Sequence, residues 1–315
     1  MPVRIEEKQE FCQNSYQRHQ GFGSSFENDI VQSWKRFDTI DAWRHERMHN
    51  CLLPILATDP DASWLTVGDG RYGTDANYLL RQKIKNVVAT DISEELLKAA
   101  KNDGFINQYQ VENAESLSFS DNSFDYVFCK EAYHHFPRPM IAFYEMLRVA
   151  GKAVVIIEPN DVNLTNRKEA RIRVKPPGKL QILKNFLKDI SNKERFNYYS
   201  YNPARYETIG NYIYTVSERE FEKAALALNL PVLAFKGIND RYENGVEFEK
   251  AEEDCALFQK VKLGIEEMDS LCKSHGRPCN ILISAIFKQM PNESTLRALQ
   301  EEGFTVTHLP RNPYA

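Results

Sequence analysis

From Trp64 onward, short apolar runs alternate with stretches whose apolar residues return every three or four positions, the pattern of strands and helices wound around a parallel sheet. The runs are Trp64 to Val67, Asn86 to Thr90, Tyr126 to Cys129 and Ala153 to Ile157. Between the first two, Thr74 or Asp75 is placed to cap a helix carrying Ala76, Tyr78, Leu79 and Leu80. Ser93 is placed to cap a second helix, Glu94 to Lys101, which stops at Asn102, Asp103 and Gly104, where a glycine favours the left-handed exit. Pro139 suits a first helical position, and Met140, Phe143, Met146, Leu147 and Ala150 form one apolar stripe before Gly151. Such crossovers are right-handed and build a doubly wound sheet, so the chain is expected to be α/β.

The flanks read differently. Residues 1–60 mix Tyr16, Phe22, Phe26, Trp34, Phe37 and Trp43 with His, Arg and Gln, which predicts amphipathic helices forming an N-terminal helical cap on a core at 61–160. Residues 161–215 break the alternation and read as an insertion. There Arg167, Lys168, Arg171, Arg173, Lys175, Lys179, Lys184 and Lys188 precede Tyr198, Tyr199, Tyr201, Tyr206, Tyr212 and Tyr214. The tract reads either as a solvated helix face with an aromatic hinge, or as an inserted lid whose cations and phenols recognise an anionic or sugar-like substrate. Residues 216–315 are expected to complete the core with a helical extension. Ser217-Glu218-Arg219-Glu220 has the form of a capping box opening a helix to about Leu228, and Val232 to Phe235 follows as a strand. An acidic helical stretch from Glu247 to Ser274 precedes a core strand within Asn280 to Lys288, then a helix at Glu293 to Glu302 and a short strand at Phe304 to Leu309.

Charge and cysteine usage narrow the class. A formal net charge of −4 provides no global field for gripping nucleic acid or an anionic membrane. No apolar run reaches the roughly 18 residues of a membrane span, and Met1 to Glu10 is too charged for a signal peptide, so a cytoplasmic protein is expected. The six cysteines form no C-x-x-C pair, which predicts reduced, mostly buried thiols. His45 and His49 stand four apart on an expected helix, but without a further ligand at metal spacing they read as part of an exposed face, and no metal is expected.

Candidate chemistry begins at Gly68-Asp69-Gly70-Arg71-Tyr72-Gly73, a glycine turn directly after an apolar strand and before a helix. Alone it fits a nicotinamide-dependent oxidoreductase as well as an adenosyl-binding enzyme, and Asp91, at the end of the second run with Ile92 beside it, suits the ribose hydroxyls of either. The third element separates them. Asn113-Ala114-Glu115-Ser116-Leu117-Ser118-Phe119-Ser120-Asp121-Asn122-Ser123-Phe124-Asp125 resembles the D-A-E-x-L-P-F-x-D-x-S-F-D stretch of class I S-adenosylmethionine-dependent methyltransferases, the type 11 family related to ubiquinone biosynthesis. The resemblance continues through Lys130-Glu131-Ala132-Tyr133-His134-His135-Phe136-Pro137, Glu145-Met146-Leu147-Arg148-Val149 and Glu158-Pro159, covering roughly residues 60–160. Two departures stand out: Thr66 where the family usually has an acid, with Asp69 a nearby substitute, and Ala150-Gly151-Lys152 in place of a longer turn.

The resemblance implies a seven-stranded, mostly parallel sheet and S-adenosylmethionine as cofactor. It implies cofactor contacts from Gly68, Asp69, Gly70, Gly73, Asp91, Ile92, Asn113, Ala114, Glu115 and Lys130. In similar O-methyltransferases a histidine of the pair works with the acid ending the fifth strand, which implies catalytic roles for His134, His135 and Glu158; the plainer reading is that the histidines cap and pack. An Asn/Asp-Pro-Pro-aromatic signature is missing where Lys130-Glu131-Ala132-Tyr133 stands, which disfavours DNA. The expected partner is a small molecule, with the hydroxyl of a sugar, glycan or secondary metabolite as methyl acceptor; a nicotinamide-dependent oxidoreductase and, given Thr66, a non-catalytic adenosylmethionine-binding protein are the alternative readings.

Overall fold

The computed structural model describes residues 5–21, 28–161 and 213–314. Apart from Asp161 and residues 213–215, the basic and tyrosine-rich tract read from the sequence lies outside the described residues, so the lid reading has no structural counterpart here.

Eight strands form one sheet: β1 (Trp64–Val67), β2 (Val87–Asp91), β3 (Tyr109–Val111), β4 (Phe124–Lys130), β5 (Ala150–Pro159), β6 (Val232–Ile238), β7 (Ile281–Phe287) and β8 (Thr305–His308), in the order β3-β2-β1-β4-β5-β7-β6-β8. The pairings from β3 across to β5 are parallel, and β7 runs antiparallel to both β5 and β6. The expected seven strands are joined by an eighth, β8, which pairs antiparallel with β6 at the edge. The fold is Rossmann-like α/β, as read from the sequence.

Alternation along the central strands sorts side chains to two faces. Trp64, Tyr126, Phe128, Ala153, Val155 and Ile157 enter one core cluster, covered by α4 (Leu53–Thr58), α5 (Thr74–Arg81), α6 (Glu95–Asn102) and α10 (Glu293–Glu301). Leu65, Val67, Val127, Cys129, Val154 and Ile156 enter the other, beneath α7 (Pro139–Val149) and α8 (Glu218–Ala227). The N-terminal helices α1 (Ile5–Gln20), α2 (Asn28–Ser33) and α3 (Ile40–His49) lie at one end of the sheet, and Ile40 of α3 packs with Val246 and with Phe258, Val261 and Ile265 of α9 (Ala256–His275).

Several local expectations are corrected. The helix after β2 starts at Glu95 rather than under a Ser93 cap: the Ser93 amide donates to Asp91 at 2.8 Å, and its buried hydroxyl has no partner among the described residues. At Ser217 only half of the capping box forms; the Glu220 carboxylate accepts the Ser217 amide, while the Ser217 hydroxyl caps nothing. The acidic stretch begins its helix at Ala256, after a turn-rich segment. His49 is not on an exposed face; it is buried against Asp75.

Candidate active site

In a doubly wound sheet the connections diverge where strand order reverses, and the gap above the carboxyl ends of the strands there is the place for a ligand. Here that point lies between β1 and β4. A cavity of about 570 Å³ opens above it, walled by the loops after β1, β2 and β4 and closed from outside by α1, α2, α3 and the segment around Tyr242. The sequence-predicted residues Gly68, Asp69, Gly70, Asp91, Ile92, Asn113, Ala114, Glu115, Lys130, His134 and His135 all line it. Gly73 and Glu158 do not.

The glycine turn explains how backbone reaches the cavity. Gly68 has φ +77°, and a Cβ on it would fall 2.3 Å from the Cβ of Ala132. A Cβ on Gly70 would fall 2.7 Å from a carboxylate oxygen of Asp91, so only glycine brings this turn against that acid. Gly73 shapes the turn rather than the cavity: with φ +68° it precedes α5, and its missing side chain leaves room for Ile106. Asp69 accepts the amides of Asp75 and Ala76 at 3.1 and 2.9 Å and the Thr66 hydroxyl at 2.8 Å, so it anchors the start of α5. Burial, and then the charge of Asp75, pushes the Asp69 carboxyl well above the usual range.

Asp91 sits opposite the turn. Burial raises its pKa to about 6, although amides of Ser93, Gly70 and Ile92 pull the other way. A half-buried carboxylate beside the unpartnered Ser93 hydroxyl, facing bare backbone at Gly70, is a donor and acceptor set that fits the ribose of an adenosyl group. Along the same wall the Asn113 side-chain carbonyl accepts the Glu115 amide at 3.0 Å, which fixes the turn carrying Ala114. The Glu115 carboxylate is nearly fully buried and is held by the amide of Arg138 at 2.8 Å, its guanidinium at 2.5 Å, and the hydroxyl of Tyr16 at 2.7 Å. Through Tyr16, α1 is tied to the Glu115 wall of the cavity.

On the opposite side stands His134, in a short 3-10 turn at Tyr133–His135. Its Nδ1 lies 2.6 Å from an oxygen of Glu158, whose side chain is fully buried at the end of β5. The other Glu158 oxygen accepts the amides of Ala132 and Tyr133 at 2.8 and 2.7 Å, so one carboxylate fixes both the loop and the imidazole. An ionised carboxylate can only accept, so the proton of His134 belongs on Nδ1 and the lone pair on Nε2. The ring of His135 lies 4.0 Å from that of His134 and 6.0 Å, edge-on, from His19 of α1.

Between these two sides the wall is built from charged groups, most of which the sequence reading missed. Arg44 bonds Asp41 at 3.0 Å and grips Asp240 with two nitrogens; Arg71 bonds both Asp41 and His45. Lys130 reaches His45 at 3.0 Å, Glu131 at 3.3 Å and Asp75 at 3.6 Å. Burial alone would lower the Lys130 ammonium, but Asp75 and Glu131 raise it above its ordinary value. Asp41 is held well below the carboxylate range by His45, Arg71 and Arg44 against the effect of burial. Glu131 adopts φ +50°, a left-handed conformation unusual for a side chain with a Cβ, directly at the cavity rim. The available signal was spacing: Asp41, Arg44, His45 and His49 lie three, four and eight positions apart and so share a helix face. Among the described residues no cluster of His, Cys, Asp and Glu is arranged to hold a metal ion, and no helix is long and apolar enough to cross a membrane.

Residues 65–157 match the family described as a methyltransferase domain. No curated protein matches the chain. Among solved structures, the YcgJ protein of Bacillus subtilis is 18% identical over 77% of this chain and 100% of its own, with a TM-score of 0.45. An S-adenosylmethionine-dependent methyltransferase from Methanosarcina mazei is 17% identical over 76% and 98%, with a TM-score of 0.44.

Proposed function

We propose that this chain, whose residues 65–157 match a methyltransferase domain family, is an S-adenosylmethionine-dependent enzyme that methylates a hydroxyl of a small molecule, such as a sugar, glycan or secondary metabolite. The observation that carries the hydroxyl assignment is His134 held on buried Glu158 at the edge of the cavity. Bound S-adenosylmethionine supplies a methyl group already activated by its positive sulfur. The protein's task is then to align an acceptor and keep water out.

Asp91 holds the ribose, Gly68 and Gly70 let backbone approach, and Asn113 and Ala114 border the adenine, with Ile92, Glu115 and Lys130 completing the wall. A hydroxyl is a poor nucleophile until its proton leaves, and the lone pair on Nε2 of His134 is suited to take that proton near neutral pH. Glu158 keeps the imidazole in the required tautomer and steadies the imidazolium that forms. His135 packs beside it as a second wall of the acceptor side. Tyr16 and His19 of α1 and His45 of α3 shield the cavity from solvent.

The test is transfer of a labelled methyl group from S-adenosylmethionine to a panel of sugars, sugar nucleotides and phenols, compared with matched amines. Label on an oxygen, lost in His134→Ala with S-adenosylhomocysteine affinity retained, supports the reading. Label only on amines, or equal turnover in the variant, overturns it.

A further inference from the structure

Two cysteines stand together behind the charged wall, outside the cavity. Cys272, near the end of α9, and Cys279, just before β7, have sulfurs 3.9 Å apart, and both side chains are half-buried. Gly237 of β6 makes the space: a Cβ there would fall 2.9 Å from the Cβ of Cys279. Six residues separate the two cysteines, and Gly276, with φ +61°, turns the chain back between them. The Cys272 sulfur receives the side-chain amide of Asn239 at 3.3 Å. Asn239 in turn accepts the Asn280 amide at 3.1 Å, Asn280 accepts the Asp240 amide at 2.9 Å, and Asp240 grips Arg44 in the cavity wall.

We propose that Cys272 and Cys279 are a modification site that closes to a disulfide under a hydroperoxide, and that closure loosens the Asn239–Asp240 anchor of Arg44. Burial and the neighbouring sulfur push the Cys279 thiol up to about 12, so it keeps its proton and donates toward Cys272. The reaction therefore starts at Cys272, whose sulfur attacks the hydroperoxide, breaks its O–O bond and releases an alcohol or water. Cys279 then displaces the hydroxyl from the oxidised Cys272 sulfur, which leaves as water with the Cys279 proton; two S–H bonds are lost, one S–S bond forms, and the two electrons reside on the reduced peroxide. The sulfurs must approach from 3.9 Å to the roughly 2.05 Å of a disulfide, drawing Cys272 away from the Asn239 amide.

Full-length protein is treated with hydrogen peroxide, denatured, alkylated and mapped by mass spectrometry, with amide hydrogen exchange followed on the native oxidised form. The expected result is four of the six cysteines still alkylated, a 272–279 cross-link about 2 Da lighter than the dithiol peptide and reversed by dithiothreitol, and faster exchange at residues 239–241. Cys279→Ser, or Cys272→Ser if the first folds poorly, should abolish the cross-link and the exchange change together. All six thiols intact, or oxidation scattered without a 272–279 link, overturns the site; a link with unchanged exchange at 239–241 overturns its connection to the wall.

Discussion

Two histidines rest on carboxylates at nearly the same distance, His134 on Glu158 at 2.6 Å and His49 on Asp75 at 2.7 Å, and their surroundings set them apart. His134 lines the large cavity and keeps 14% of its side-chain surface, whereas His49 is 5% exposed and stacks on Tyr78 with ring centroids 4.7 Å apart. Burial lowers the His49 pKa to about 4, only partly offset by Asp75, so this ring stays neutral at ordinary pH and serves as a hydrogen-bonding brace between α3 and α5. On the proposed reading, the same pair of groups makes a proton acceptor where a ligand has access and a structural pin where none does.

The largest effect that would sharpen this contrast is expected from Glu158→Gln. With the Gln carbonyl kept on the Ala132 and Tyr133 amides, its NH2 faces Nδ1 and donates, which forces the His134 proton onto Nε2; turnover with an accepted hydroxyl substrate should fall by about a thousandfold or more. His134→Ala removes the base itself and should slow transfer by about a hundredfold or more, with S-adenosylhomocysteine affinity within about threefold by calorimetry. Equal turnover in both variants would erase the difference between the two histidines. His49→Ala should do the reverse: the remaining rate per folded molecule stays within about threefold, while urea denaturation shows a loss of about 2 to 4 kcal/mol, because Asp75 loses a buried partner.

A smaller effect comes from pH. The His49 pKa is lower in the folded state than its usual 6.5, so the unfolded chain binds the proton more readily between those values. The pin therefore contributes a stability loss as pH falls from 6.5 toward 4, of about 1 to 2 kcal/mol by pH 5, and a fragment of the curve insensitive to His49→Ala would contradict the assignment. Asp91 works with the opposite sign for stability. Its pKa is raised to about 6, so its ionised form is the strained one in the empty protein, and stability from this group declines as pH rises from about 4 to 6. Ribose hydroxyls need the ionised form, so S-adenosylhomocysteine should bind about tenfold more weakly at pH 5 than at pH 7.

The convergence of the glycine turn, Asp91 and Asn113 was legible in the sequence because its signals are local. Gly68, Gly70, Asp91 and Asn113 each lie at or just after a strand end, and once the strands are ordered around β1 they meet at one cavity. The wall from α3 was not legible in the same way. Asp41, Arg44, His45 and His49 look like a solvated face because polar residues usually are one, and their burial depends on Arg71, Asp75, Lys130 and Asp240, which lie some 26 to 196 positions away. Ser93 misled for a related reason: its preference for a cap gave way to the Asp91 carboxylate two residues before it, which takes its amide. The eighth strand was read only as a short piece without a place, since edge pairing with β6 is set by tertiary contacts rather than by local pattern.

The account stands on a single adenosyl ligand bridging the glycine turn, Asp91 and the Asn113–Ala114 edge. Titration calorimetry of S-adenosylhomocysteine into the native protein and into Asp91→Ala tests it most directly. Binding to the native protein and a loss of about a hundredfold or more in the variant is the expected result. Equal affinity in both proteins, or a native protein that binds NAD and leaves S-adenosylhomocysteine in solution, would contradict it.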